Sequence, residues 1–198
     1  MKIVILGGFL GSGKTSVLMQ LAKAASDFSS KSSTPVAIIE NEIGDVSIDT
    51  KMLSSYQIKE LFSGCICCTL AGDLTACAND IEEKYKPDFL FIEATGMAHP
   101  SNVVDIMKKY AKSKDSVKMI VLADASRWED LMDYMDVFIS NQLKGSDIIL
   151  LNKCDLVSEE EKQQITKEIQ EINETARIIP ICAKEDLGSI AKEILEYE

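Results

Sequence analysis

The densest group of reactive side chains is "LFSGCICCTL", residues 61–70, which sets Cys65, Cys67 and Cys68 within four positions. Thiolates in such a run suit soft cations, and the spacing lets at least two reach one ion. A structural zinc site needs four ligands, so the run is incomplete alone. His99 is the one histidine, which excludes a finger of two cysteines and two histidines. A second kind of chemistry is written in "GGFLGSGKTS", residues 7–16, which contains Gly8-x4-Gly13-Lys14-Thr15. It follows an apolar strand-like run and opens a helix-like one, the context of a phosphate-binding P-loop. Gly8, Gly11 and Gly13 let the backbone wrap close to phosphates, with Ser12 and Ser16 in the same cradle. The helix start adds positive potential. Lys14 is placed to reach the β- and γ-phosphates, and the Thr15 hydroxyl to bind Mg²⁺.

"ILLNKCDLV", residues 149–157, ends a buried strand with Asn152-Lys153-Cys154-Asp155. This resembles the Asn-Lys-x-Asp motif of GTPases. A carboxylate at Asp155 accepts from the N1–H and exocyclic amino group of guanine, which selects GTP over ATP. Lys153 lays its stem along the base, and Asn152 ties neighbouring loops together. "ICAKED", residues 181–186, sits where GTPases often have Ser-Ala-Lys; Ala183 or Lys184 supplies a backbone N–H to the guanine O6. "FIEATG", residues 91–96, ends another strand; Glu93 is placed to hold Mg²⁺, directly or through water, and Gly96 to offer its N–H to the γ-phosphate. "IIENEIGDVSID", residues 38–49, gathers Glu40, Glu42 and Asp45 where a switch segment belongs. One or more of these carboxylates faces the γ-phosphate and Mg²⁺, and one faces the thiols. Lys14, Glu42 and Glu93 are the candidate catalytic residues. No glutamine of the Ras type is evident.

These residues need a scaffold that sets them at one edge. Continuous Ile/Val-rich runs recur at 2–6, 35–40, 88–93, 117–124, 147–152 and 176–181. Runs that do not alternate are strands buried on both faces, as in a parallel sheet; 57–62 reads as an added edge strand. Helical spacing occupies 13–27, 70–86, 101–112 and the stretch from "LGSIAKEIL" to the end. "SRWE" 126–129 and "SEEE" 158–161 read as capping boxes, the second opening a helix through about Asn173. The alternation predicts an α/β P-loop NTPase, a doubly wound, mostly parallel sheet with helices on both faces and ligands at the carboxyl ends of its strands. Residues 1–198 read as a single such domain. Cys77 and Cys182 read as core packing, His99 as a surface histidine before a helix.

The chain has 198 residues, 21 basic against 32 acidic, for a net charge of −11. That surface repels nucleic-acid phosphates and anionic membranes, so neither is an expected partner. Apolar runs fall far short of the ~20 residues of a membrane span. The glycine-interrupted start lacks the form of a signal peptide. The reading is cytoplasmic, where six cysteines are thiols or metal ligands rather than disulfides.

Taken in order, "GFLGSGKT", "ENEIGDVSID", "GCICCT", "IEATG" and "LLNKCDLV" are similar to the GTPase domain of the CobW family. The family implies GTP hydrolysis to GDP with Mg²⁺ at the nucleotide. It also implies a divalent transition metal such as Zn²⁺ or Co²⁺ on Cys65, Cys67 and Cys68, with Glu40 or Asp45 as acidic ligand. It further implies an unknown client metalloprotein or cofactor-assembly protein, and a nucleotide-dependent homodimer. Many members add a C-terminal domain and a His-rich stretch, neither of which this sequence shows. The leading expectation is a GTP-gated metallochaperone. The competing readings are a regulatory GTPase with redox-sensing thiols and no cargo, and an ATP-dependent small-molecule kinase.

Overall fold

A computed structural model describes residues 1–28, 36–40, 59–60, 71–97, 99–113 and 116–196. Among these residues seven strands form one sheet: β1 Lys2–Gly8, β2 Val36–Glu40, β3 Lys59–Glu60, β4 Phe89–Glu93, β5 Val117–Asp124, β6 Ile148–Asn152 and β7 Arg177–Pro180. Their order is β3-β2-β4-β1-β5-β6-β7, and every pairing is parallel. The β3 pairing at the edge agrees with the edge strand expected near 57–62.

Successive residues point to opposite faces, and both faces are apolar. Ile3 and Ile5, with Met119, Val121, Ile149 and Leu151, join one core cluster. Val4 and Leu6, with Ile120, Leu122, Ile148 and Leu150, join the other. Helices α1 Lys14–Phe28 and α6 Gly188–Glu196 cover the second face through Leu18, Leu21, Ile194 and Leu195. Helices α2 Ala71–Tyr85, α3 Pro100–Tyr110, α4 Trp128–Leu143 and α5 Glu159–Ile172 cover the first through Ile81, Met107, Leu131 and Ile169. This double burial is why the strands carry unbroken Ile/Val/Leu runs.

β1 lies centrally, with β4 on one side and β5 on the other. The chain thus winds outward in both directions from β1, and its carboxyl end is the switch point where ligands bind in open α/β sheets.

The second capping box forms as expected. Ser158 Oγ accepts from the Glu161 N–H, and the Glu161 carboxylate accepts from the Ser158 N–H. The first does not. Asp124, at the end of β5, accepts from the Ser126 N–H at 3.2 Å and its hydroxyl at 2.7 Å, which starts a short 3₁₀ turn over 125–127. Helix α4 then opens only at Trp128, behind Arg127, whose side chain does not cap it. A strand-end carboxylate captured the serine before it could cap a helix.

Candidate nucleotide site

The P-loop connects β1 to α1. Gly8 and Gly13 are required by space as well as by conformation. At Gly8, φ +137°, an added Cβ would lie 2.6 Å from the Leu122 carbonyl oxygen. At Gly13, φ +97°, it would lie 2.4 Å from Asn152 Nδ2. No L-residue fits either place. The loop closes through a Ser12 N–H to Phe9 carbonyl bond of 3.1 Å. Lys14 is buried, and its Nζ donates to the Phe9 carbonyl at 3.4 Å. Ser16 is exposed on the first turn of α1. Ser12 is wholly buried, and its Oγ has no hydrogen-bond partner among the described residues. An orphaned hydroxyl inside a glycine loop fits a polar group supplied from outside the chain.

Beside the loop, Thr15 Oγ1 donates to Glu93 Oε1 at 3.2 Å and Oε2 at 3.3 Å. The first turn of α1 and the end of β4 thus bring a hydroxyl and a carboxylate face to face, an all-oxygen donor pair suited to a hard cation. Gly96 presses on the loop: a Cβ there would sit 2.8 Å from the Leu10 nitrogen. The buried Gln142 of α4 donates to the Gly96 carbonyl at 3.1 Å and fixes that peptide.

Asn152, at the end of β6, joins the two halves of the site. Its Nδ2 donates to the Ser12 carbonyl at 2.7 Å, and its Oδ1 accepts from the Ala183 N–H at 2.9 Å. Lys153 adopts a left-handed conformation, φ 64°, and its Nζ donates to Asp124 Oδ2 at 2.7 Å. Asp155 lies 3.5 Å from Lys184 Nζ. The Cys182 thiol, first, and Lys184 hold the Asp155 carboxyl below the usual range. Cys182 is therefore not the core residue its strand-end position suggested; the chain turns out of β7 and sets the thiol beside Asp155. Cys154 turns its thiol back to the Leu151 carbonyl at 3.1 Å, and burial raises its pKa. Cys77 does pack on the core, with its pKa raised chiefly by burial. His99 is exposed before α3, its ring 5.4 Å from that of Phe138.

Several contributors carried no motif. Gln20 of α1 donates to the Ala183 carbonyl at 2.9 Å and the Glu185 carbonyl at 3.0 Å, and accepts from the Leu187 N–H at 2.7 Å. Asp124 is buried and receives Lys153 and Arg127 together. Burial alone would raise its carboxyl, but these bonds outweigh it and lower the pKa. The only available signal was an acidic residue closing an otherwise apolar strand.

Glu40 ends β2, its Cα in register with that of Glu93. Glu42, Asp45, Cys65, Cys67 and Cys68 lie outside the described residues. Among the described residues, no group of three or more His, Cys, Asp or Glu is placed to hold a metal, and no helix is long and apolar enough to cross a membrane.

The strand order, the glycine loop ahead of α1 and the Asn-Lys-x-Asp turn define a P-loop GTPase fold. Within that class the chain belongs to the CobW/HypB/UreG family, whose nucleotide-binding domain matches residues 2–180. It is 31% identical over 201 residues to the zinc chaperone YjiA of Escherichia coli, covering 94% of this chain and 59% of that one. It is 29% identical over 219 residues to the zinc-regulated GTPase metalloprotein activator 1 of Dictyostelium discoideum, covering 89% and 45%. The crystal structure of Zn(II)-bound YjiA GTPase superimposes with a TM-score of 0.60 at 27% identity, covering 90% of this chain and 57% of that one. The chain spans about half the length of the curated relatives it matches.

Proposed function

We propose that this chain is the GTP-hydrolysing domain of a cytoplasmic metallochaperone, and that it binds a divalent transition metal, Zn²⁺ or Co²⁺, at Cys65, Cys67 and Cys68. The observation that carries the nucleotide half is Asn152, which ties the P-loop and the base loop into one receptacle. Asp155 reads the guanine edge. The Ala183 N–H is already given to Asn152, so the O6 contact falls to the Lys184 N–H. Lys14 leaves the Phe9 carbonyl for the phosphates. Thr15 and Glu93 would hold Mg²⁺, which when bound neutralises charge between the β- and γ-phosphates. Gly96 offers its N–H to the γ-phosphate, and Glu42 is the switch-segment carboxylate that would face the γ-phosphate and Mg²⁺. The metal half is supported by the thiol run and by the relatives' names as zinc chaperones.

In this reading the γ-phosphate orders residues 40–50, and Glu40 or Asp45 completes the thiolate site. Hydrolysis releases that segment and the metal passes to a client metalloprotein, with a nucleotide-dependent homodimer as the accelerating contact. Linkage makes the effect reciprocal. The test is Zn²⁺ and Co²⁺ titration in GDP and in a non-hydrolysable GTP analogue, with Cys65→Ser, Cys67→Ser and Cys68→Ser variants and the triple substitution alongside. Tighter metal binding in the analogue, lost in the variants, is expected. Equal affinities in both nucleotides would remove the coupling, and metal binding that survives the triple substitution would remove the thiol site.

A further inference from the structure

Arg127 is a half-exposed residue at the start of α4, and it reaches across to the P-loop. Its Nη2 donates to the Leu10 carbonyl at 2.7 Å. Its Nε donates to Asp124 Oδ2 at 2.8 Å, the same oxygen that takes Lys153 at 2.7 Å. The guanidinium stands 6.0 Å from the Phe9 ring centre. At Gly11 an added Cβ would come 3.3 Å from Nη2, so Arg127 occupies the side on which Gly11 lacks a side chain.

The peptide geometry gives this contact a consequence. In a trans peptide the carbonyl and the next N–H point in opposite directions, and no cis bond is present among the described residues. Drawing the Leu10 carbonyl to Arg127 therefore turns the Gly11 N–H away from it. Asn152 acts likewise on the Ser12 carbonyl and hence on the Gly13 N–H. The Gly11 and Gly13 amides, on either side of the Ser12 N–H that closes the loop on Phe9, thus both turn from their clamped carbonyls, and backbone amides so turned can line an anion-binding concavity. Lys14 also holds a carbonyl, that of Phe9, but its charge is needed by the phosphates. Arg127 is held at its other end by Asp124, so it has a reason to stay.

We propose that Arg127 is a positioning residue for the nucleotide β-phosphate. It clamps the Leu10 carbonyl so that the Gly11 N–H faces the phosphates. Through Asp124 it shares one buried anchor with Lys153, so the phosphate end and the base end of the site are set together. This rests on the GTP-binding reading.

The test compares GDP and GMP as competitors of a fluorescent GDP, for the wild type and for Arg127→Ala, Arg127→Lys and Arg127→Gln, with melting temperatures for each. Asp124 keeps Lys153 and Ser126 in every variant, so no buried carboxylate is stranded and the variants fold. Arg127→Ala should weaken GDP about tenfold, the worth of one hydrogen bond from a charged donor. GMP, which lacks the β-phosphate, should change less than about twofold on the same reasoning. Arg127→Lys should keep most of the defect, because an ammonium cannot present a planar fork to a carbonyl and a carboxylate at once. Arg127→Gln should fall between wild type and alanine. Unchanged GDP affinity, equal losses for GDP and GMP, or full rescue by lysine would each overturn the proposal. A wild-type protein that binds neither nucleotide would remove the GTP reading instead.

Discussion

At the scale of single residues, the base loop makes the sharpest commitment. Asp155 presents a carboxylate, which only accepts hydrogen bonds and so matches the two donors on the guanine edge. Asp155→Asn keeps the shape but replaces one acceptor with a donor. GTP binding should then fall at least about tenfold, as one paired contact becomes a clash of donors. Xanthosine triphosphate, which carries an acceptor where guanine has its amino group, should gain. Competition between the two nucleotides checks this, and an unchanged preference would remove Asp155 from the base site. Asp155 and Asn152 were legible because their spacing is itself the signal. Asp124, Arg127, Gln20 and Gln142 were not. Each acts through a contact distant in sequence, Arg127 to Leu10 and Gln20 to Leu187 among them. No local pattern encodes partners that lie 29 residues away for Asp124, 46 for Gln142, 117 for Arg127 and 167 for Gln20.

At the scale of elements, the strands were legible because burial on both faces leaves unbroken apolar runs. The helix starts show where such reading stops. "SRWE" and "SEEE" match the same pattern, yet only Ser158 caps. The difference lies two positions upstream of the match, where Asp124 closes β5 and takes the N–H and hydroxyl of Ser126. Ser158 follows a 3₁₀ turn at 154–156 and has no such competitor. Ser158→Ala should cost α5 about 1 kcal/mol. For a chain of this length that is about 2–4 °C of melting temperature. Ser126→Ala should leave α4 intact, since that helix does not depend on it. Thermal unfolding of the two variants checks the pair, and an equal loss in both would restore a cap at Ser126.

At the scale of the whole molecule, the P-loop that follows β1 meets the base-loop half of the site, and that seam is stitched directly by Asn152 and, through Arg127, by Asp124. Asp124 makes the stitch sensitive to acid. Its folded pKa lies below the ordinary carboxylate value of about 4. The stability it contributes is therefore complete above that value and is lost as pH falls through the lower, folded one. Asp124→Asn should be less stable than wild type at neutral pH, and the gap should close progressively below about pH 4. Denaturant titrations across that range check the sign. A gap that stayed constant with pH would mean the carboxylate's charge is irrelevant. Asn152 carries a different liability. Its amide must give on the Ser12 side and receive on the Ala183 side. Hydrolysis of that amide to an acid, a slow reaction to which asparagines are prone in storage, would set an oxygen against an oxygen and prise the seam open. A preparation that has aged in this way would show a slight gain in mass at this one position and a matching fall in its capacity for GTP.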